Sequence, residues 1–196
     1  KLAGYVRLKA PEVFSFSQNY DATAKFLAKM KDAALKTRSS TQRKILLDFE
    51  SIQSISVGGA LVLAAEIDRW QKVKNVRLSL KNYADWGREV KSVLHDIGFF
   101  SLLGTPGTEK YSLAAPDHSI TVLEVVNCDD ADGQRIAEIQ QRLEAVAGLF
   151  KQDPLIYGAV LEAAYNGVLH GYPDRHEFRF PPLRRNWWAT ASWSPN

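Results

Sequence analysis

Apolar positions recur along the chain in two rhythms, short runs that suit strands and three-to-four-residue repeats that suit helices, and the two alternate. Residues 1–16 predict a strand: Tyr5, Val6, Leu8, Val13, Phe14 and Phe16 favour β structure, and Pro11 marks an interruption or an edge. Residues 21–37 predict a helix with Ala24, Phe26, Leu27, Met30, Ala33, Ala34 and Leu35 on a broad apolar side. After a polar loop at 37–42, the run KILLDF at 44–49 predicts a short buried strand. Residues 51–59 predict a loop, with Gly58 and Gly59 supplying flexibility where strand gives way to helix. A helix at 60–70, closed by Lys74 and Asn75, and a strand at 76–80 come next. The spacing then predicts a helix over 85–97, with Trp86, Val90, Val93, Leu94 and Ile97 on one side. Gly98 ends it, and Phe99, Phe100, Leu102 and Leu103 are expected to pack back on the core.

Pro106, Gly107, Pro116 and Asp117 make 105–118 read as a linker, with one short strand at 110–113. Beyond it come a strand at 120–126 and a helix capped by Asp129 or Asp130 that runs to about Phe150. Its apolar face is Ile136, Ile139, Leu143, Val146, Ala147 and Phe150. A second helix at 153–170 and a last strand at 186–194 complete the pattern. The expected fold class is α/β (α+β), with helices covering a sheet. The expected division is a first domain at 1–105, a linker at 106–119 and a second domain at 120–196.

The stretch 153–172, DPLIYGAVLEAAYNGVLHGY, carries the candidate chemistry. Asp153 can cap its helix, Pro154 suits the first helical position, and Gly171 can end it. Ile156, Ala159, Val160, Ala163, Gly167 and Leu169 keep the run apolar or small, and Glu162, Asn166 and His170 interrupt it at i, i+4 and i+8. That spacing puts the three on one helical stripe. A carboxylate there can polarise an attacking water, and an amide oxygen one turn on can hold a hard cation such as magnesium. The same pattern fits an ordinary amphipathic helix with three solvated polar residues.

Within that stretch, E-A-A-Y-N-G-V-L-H-G-Y resembles the N-box helix of the histidine-kinase-like (GHKL) ATPases, in particular the anti-sigma-factor kinase branch. The resemblance implies that Glu162 is the catalytic base and that Asn166 holds magnesium. It makes Asn166 and His170 cofactor-binding positions, and it implies ATP and magnesium as ligands. Tyr172 matches the pattern with a less definite role. In that family a tryptophan-rich strand like 186–194 precedes an Asp-x-Gly-x-Gly box that holds adenine, and the sequence stops at Asn196 before any such box. The resemblance therefore covers the first half of a GHKL-type α/β sandwich. It implies no cofactor and no ATPase activity for the chain as given.

Upstream, residues 45–104 resemble a STAS domain, the fold of anti-sigma-factor antagonists, through I-L-L-D-F-E-S-I, S-I-S-V-G-G-A-L-V-L and the I-G-F-F ending of the last helix. Antagonists carry a phosphorylated serine at a helix N-terminus. Here the switch loop reads Ser54, Ser56, Gly58 and Gly59, with Gly58 in the phosphoacceptor place. Together the resemblances imply a cytoplasmic, bacterial-type regulatory protein that binds another regulatory protein. One alternative is a fragment of an ATP-dependent serine/threonine protein kinase. Another is a single-stranded nucleic-acid-binding protein using Arg175, Arg179, Arg184 and Arg185 beside Phe178, Phe180 and the tryptophans.

Composition narrows this. Twenty-five Lys+Arg against 22 Asp+Glu give a net charge of +3, too mild to imply nucleic acid or an anionic membrane. The single cysteine, Cys128, excludes an internal disulfide and fits a reducing compartment. No apolar run is long enough to span a bilayer and no signal peptide opens the chain. His170, Asp174 and His176 match no zinc spacing, and Cys128 has no histidine nearby in sequence. The strand at 186–194 is expected to present an unpaired edge bearing Trp187, Trp188 and Trp193, and so to form a homo-oligomer.

Overall fold

The apolar run at 44–49 becomes the middle strand of a three-stranded parallel sheet. A computed structural model describes residues 5–36, 44–74, 76–103, 121–124, 126–128, 133–147, 154–170 and 186–193. The fold is mixed α/β, and the chain divides into two compact units, Lys1–Pro116 and Asp117–Asn196.

In the first unit, β1 (Tyr5–Lys9), β3 (Lys44–Asp48) and β5 (Arg77–Lys81) lie in the order β1-β3-β5. Val6 pairs with Ile45, Leu8 with Leu47, and Ile45 with Leu78 in register. Parallel neighbours need long crossovers. Those crossovers hold α1 (Tyr20–Leu35) and α2 (Val57–Lys74). Side chains alternate along each strand. Leu8, Ile45, Leu47 and Leu78 are buried, while the alternate positions Arg7 and Lys9 are exposed. The helices touch each other and supply Phe26, Met30, Ala34, Leu63, Ala64 and Ile67 to this core. A second ladder, β2 (Val13–Phe14) with β4 (Ser54–Ile55), is also parallel. Pro11 separates β1 from β2, as the interruption at that position predicts.

Phe49, just past β3, is fully buried among rings: Trp86 at 4.9 Å, Phe99 at 6.0 Å and Phe26 at 6.1 Å between centroids. This contact reshapes the helix expected at 85–97. A 3-10 turn at Tyr83–Asp85 is followed by Trp86 and Gly87 in extended backbone, and α3 spans only Arg88–Asp96. Trp86 leaves the helix because its indole is buried and donates Nε1–H to the Lys81 carbonyl at 2.9 Å. Gly98, at φ 80°, turns the chain into α4 (Phe99–Leu103), whose Phe99, Phe100 and Leu103 are buried as expected. The loop expected at 51–59 is also more regular: it contains β4 and the first turn of α2.

In the second unit the strands expected at 120–126 and 186–194 are each broken in two. β6 (Thr121–Val122) pairs antiparallel with β9 (Ser192–Trp193), and β7 (Val126–Cys128) with β8 (Trp187–Ala189). Three residues separate Val122 from Val126, but two separate Ala189 from Ser192. The first segment therefore carries one extra residue, the signature of a β-bulge. Between the ladders, Leu123 N–H donates to the Ala191 carbonyl at 2.8 Å and the Thr190 hydroxyl to the Leu123 carbonyl. The last strand, expected to present an unpaired edge, is thus held on one side by its own chain. α5 (Gly133–Ala147) packs on α6 (Pro154–His170), β7 and β9, and α6 packs on β8. The linker at 106–119, the strand at 110–113 and the arginines at 175–185 lie outside the described residues. No helix among the described residues is long and apolar enough to cross a membrane.

The carboxyl end of the sheet holds a fully buried carboxylate, Asp48. Arg7 donates Nε–H to it and pairs with it, the Glu50 N–H reaches it at 3.3 Å, and Lys81 Nζ lies 3.6 Å away. Burial pushes this carboxyl up, but the Arg7 and Glu50 hydrogen bonds and the charges of Arg7 and Lys81 prevail and hold it below its usual value of 3.8. A lowered folded-state value means that the pairing stabilises the fold above pH 3.8 and is lost as pH falls through the folded-state value. Asp48→Ala should cost about 2–3 kcal/mol at neutral pH, discounted from a fully buried pair because Arg7 is half exposed. Urea titrations at neutral and acid pH check this. The variant should lose less stability on acidification than the parent, and equal curves at both pH values would refute the role given to the pair.

Candidate functional site

α6 is apolar nearly all round, so hydropathy alone does not say which side faces inward. Its small residues decide. Ala164 is buried, and a Cβ on Gly167 would meet Trp187 Cβ at 3.8 Å, so this side lies against β8. On the same side Tyr157 donates its hydroxyl to the Gly133 carbonyl at 3.5 Å, joining α6 to the start of α5. The opposite side faces solvent, and Glu162, Asn166 and His170 are all on it. The one-stripe placement expected from their spacing is what the helix presents.

Asn166 donates Nδ2–H to Glu162 Oε1 at 3.4 Å, a contact made one turn apart along the exposed stripe. The Asn166 side-chain oxygen and the second carboxylate oxygen of Glu162 remain available as hard acceptors, a pair suited to a hydrated divalent cation. His170 ends the row in the last turn. This exposure also accords with a solvated amphipathic helix. What such a helix does not explain is the apolar surface beside the row: Leu155 is 80% exposed, Tyr165 51% and Leu169 54%. Polar acceptors set among large apolar side chains can engage a partner or a ligand with both polar and apolar parts.

The second candidate is the start of α2. Ser56 is its N-cap: its hydroxyl accepts the Gly59 N–H at 3.1 Å, and its carbonyl accepts the Ala60 N–H at 2.9 Å. Ser54 sits in the β2–β4 ladder, its N–H donating to the Glu12 carbonyl at 3.3 Å. The two serines of the expected switch loop therefore have structural roles. The glycines differ from each other. A Cβ on Gly58 would meet nothing within 4 Å, whereas one on Gly59 would lie 2.6 Å from the Phe14 carbonyl oxygen. Gly59 is a close approach of helix to strand rather than the source of flexibility expected from the sequence, and Gly58 is the exposed position with room for a side chain. The cap is the feature that sequence reading passed over. A serine directly before a helical run is its signal.

Two substitutions separate these roles. Gly58→Ala should be neutral or stabilise by about 0.5–1 kcal/mol, since it removes backbone freedom from the unfolded chain at a helical position with open space. Gly59→Ala should destabilise by about 1–3 kcal/mol because the strand backbone must move. Thermal unfolding of the two variants checks the order, and a Gly59→Ala protein as stable as the parent would disprove the close approach.

No protein-family model, curated protein or solved structure matches this chain.

Proposed function

We propose that this chain is a regulatory protein–protein interaction module of the kind found in anti-sigma-factor and antagonist switches, a bacterial-type cytoplasmic protein with a STAS-like unit and the N-terminal half of a histidine-kinase-like ATPase domain. The observation that carries the reading is the solvent-facing row Glu162, Asn166 and His170 on α6, at the spacing of the N-box helix and beside exposed Leu155, Tyr165 and Leu169. Support in the first unit comes from a parallel sheet whose helix α2 begins at the switch-loop position, with Gly58 exposed in its first turn. In this reading the exposed face of α6 meets a partner regulatory protein. Glu162 and Asn166 keep the family's base and magnesium positions, and among the described residues no further phosphate donors stand beside them. Stabilising charge on a transferring phosphoryl group takes several preorganised donors, and one helix supplies too few.

Calorimetry with magnesium-ATP is the direct test, and no saturable heat is expected. Micromolar binding that disappears in Asn166→Ala would instead favour the reading as a fragment of an ATP-dependent protein kinase. The switch loop gives an independent test. The parent should take no phosphate from an antagonist-type serine kinase at position 58, and Gly58→Ser should take it there, because the site has room for the hydroxyl. Mass spectrometry reads the outcome, and stoichiometric phosphate on Ser56 of the parent would show that the switch lies elsewhere in the loop.

The same reading includes a homo-oligomer through the C-terminal strand. β8 and β9 belong to two-stranded ladders, and Trp187, Trp188 and Trp193 all remain part-exposed. Ladders this short gain from further strands, and large aromatics gain from being covered. A two-fold dimer is the simplest closed arrangement. Sedimentation velocity at micromolar concentration should show a dimer, and a monomer across that range would end this part of the proposal.

A further inference from the structure

Independently of that reading, the geometry points to a binding site for a small organic phosphate in the first unit, at the carboxyl end of β1. A cleft of about 340 Å³ opens between the β1–β2 connection and α1, lined among others by Lys9, Glu12, Lys25, Phe26, Lys29 and Ser51. That volume lies in the range of small-molecule sites. The cleft lies at the carboxyl end of β1, of which Lys9 is the last residue.

The charges around the cleft are unbalanced. Its lining carries three lysines, Lys9, Lys25 and Lys29, against one acidic residue, Glu12. Lys25 and Lys29 are i, i+4 on α1, a like-charge spacing that disfavours the bare helix. Among the described residues none of the three lysines pairs with a carboxylate, although Arg7, Arg69, Lys72 and Lys81 of the same unit each do. The reason for Lys9 is visible in the sheet. Its register partner Asp48 is already engaged by Arg7 and Lys81. Glu12 is exposed and accepts a hydrogen bond from the Gln53 side chain at 3.4 Å. Among the described residues, Asp21 and Asp32, at i−4 from Lys25 and i+3 from Lys29, make no ion pair with either.

An anion held here relieves the repulsion between the lysines. Lysine offers three rotatable donors around a point charge, which suits the three outward oxygens of a tetrahedral phosphate dianion better than the planar face of a carboxylate. Pro11, Ala22 and the lysine stems provide apolar surface for the organic part. Nothing in this recognition requires the second unit.

Phenyl phosphate is the probe. It should bind the full chain saturably, raise the melting temperature as its concentration rises, and bind less tightly as salt increases. Lys25→Gln/Lys29→Gln should weaken it by at least about tenfold, and Lys91→Gln, a lysine of α3 outside the cleft, should leave it unchanged. Without ligand the double variant should melt at or slightly above the parent's temperature, because glutamine matches lysine in helix propensity and removes the repulsion. Inorganic phosphate should bind more weakly than phenyl phosphate, and succinate more weakly still. The proposal fails if binding does not saturate, if the double variant binds as the parent does, if succinate binds as well as phenyl phosphate, or if the ligand-free double variant loses stability.

Discussion

One carboxylate sets the geometry at the carboxyl ends of all three parallel strands. Asp48 closes the central strand, and its buried side chain gathers Arg7 from β1 and Lys81 from β5. Its backbone carbonyl accepts the Ala10 N–H at 2.9 Å, so the turn leaving β1 is tied to the same residue. Lys81 also reaches Glu50 at 3.0 Å and holds that carboxyl below its usual range. A carboxylate out of water without these partners would be strongly unfavourable. The strand ends therefore have little freedom to slide. The segments beyond them depend on where the strands stop: Phe49 enters its ring cluster, Glu12 meets Gln53 and Ser54, and Ser56 arrives where it can cap α2.

Much of this was legible in the sequence where local rules suffice. The strand at 44–49, the helix at 21–37 and the burial of Phe99, Phe100 and Leu103 are read from short-range pattern, and they stand within a residue or two. The misreadings share a cause, a partner distant in sequence. Trp86 has the spacing of a helical residue, yet its ring is claimed by Phe49, thirty-seven positions earlier. The bulge in the β6–β7 segment comes from a register with residues near the other end of the unit, and no alternation within 120–126 announces it. Gly59 reads as a flexible joint because the Phe14 carbonyl pressing on it comes from another strand.

The candidate site was legible in one respect and hidden in another. The i, i+4, i+8 spacing of Glu162, Asn166 and His170 is enough to place them on one stripe. Which way the stripe faces depends on side-chain size rather than polarity: Ala164 and Gly167 let α6 approach β8, and the larger Leu155, Tyr165 and Leu169 are left outside. A hydropathy scale ranks the exposed Leu155 and Leu169 above both small residues. The lysine cleft was hidden for a related reason. Lys25 and Lys29 look like the ordinary polar side of a helix until the β1–β2 connection is set opposite them.

The ribbon of the second unit has a consequence for the order in which the protein is made. Its two halves come from 121–128 and 187–193, and both long helices of the unit lie in the chain between them. The ribosome releases the chain from its amino end, so α5 and α6 emerge well before β8 and β9 exist to close the ladder. Through that interval the inner side of α6, with Ala164 and Gly167, has no β8 to lie against. The first unit has no such wait, because β1, β3, β5 and the helices between them are all complete once α4 has been synthesised. The nascent chain thus passes through a stage with one finished unit and one open pair of helices, and that stage ends only when Trp193 has cleared the exit tunnel.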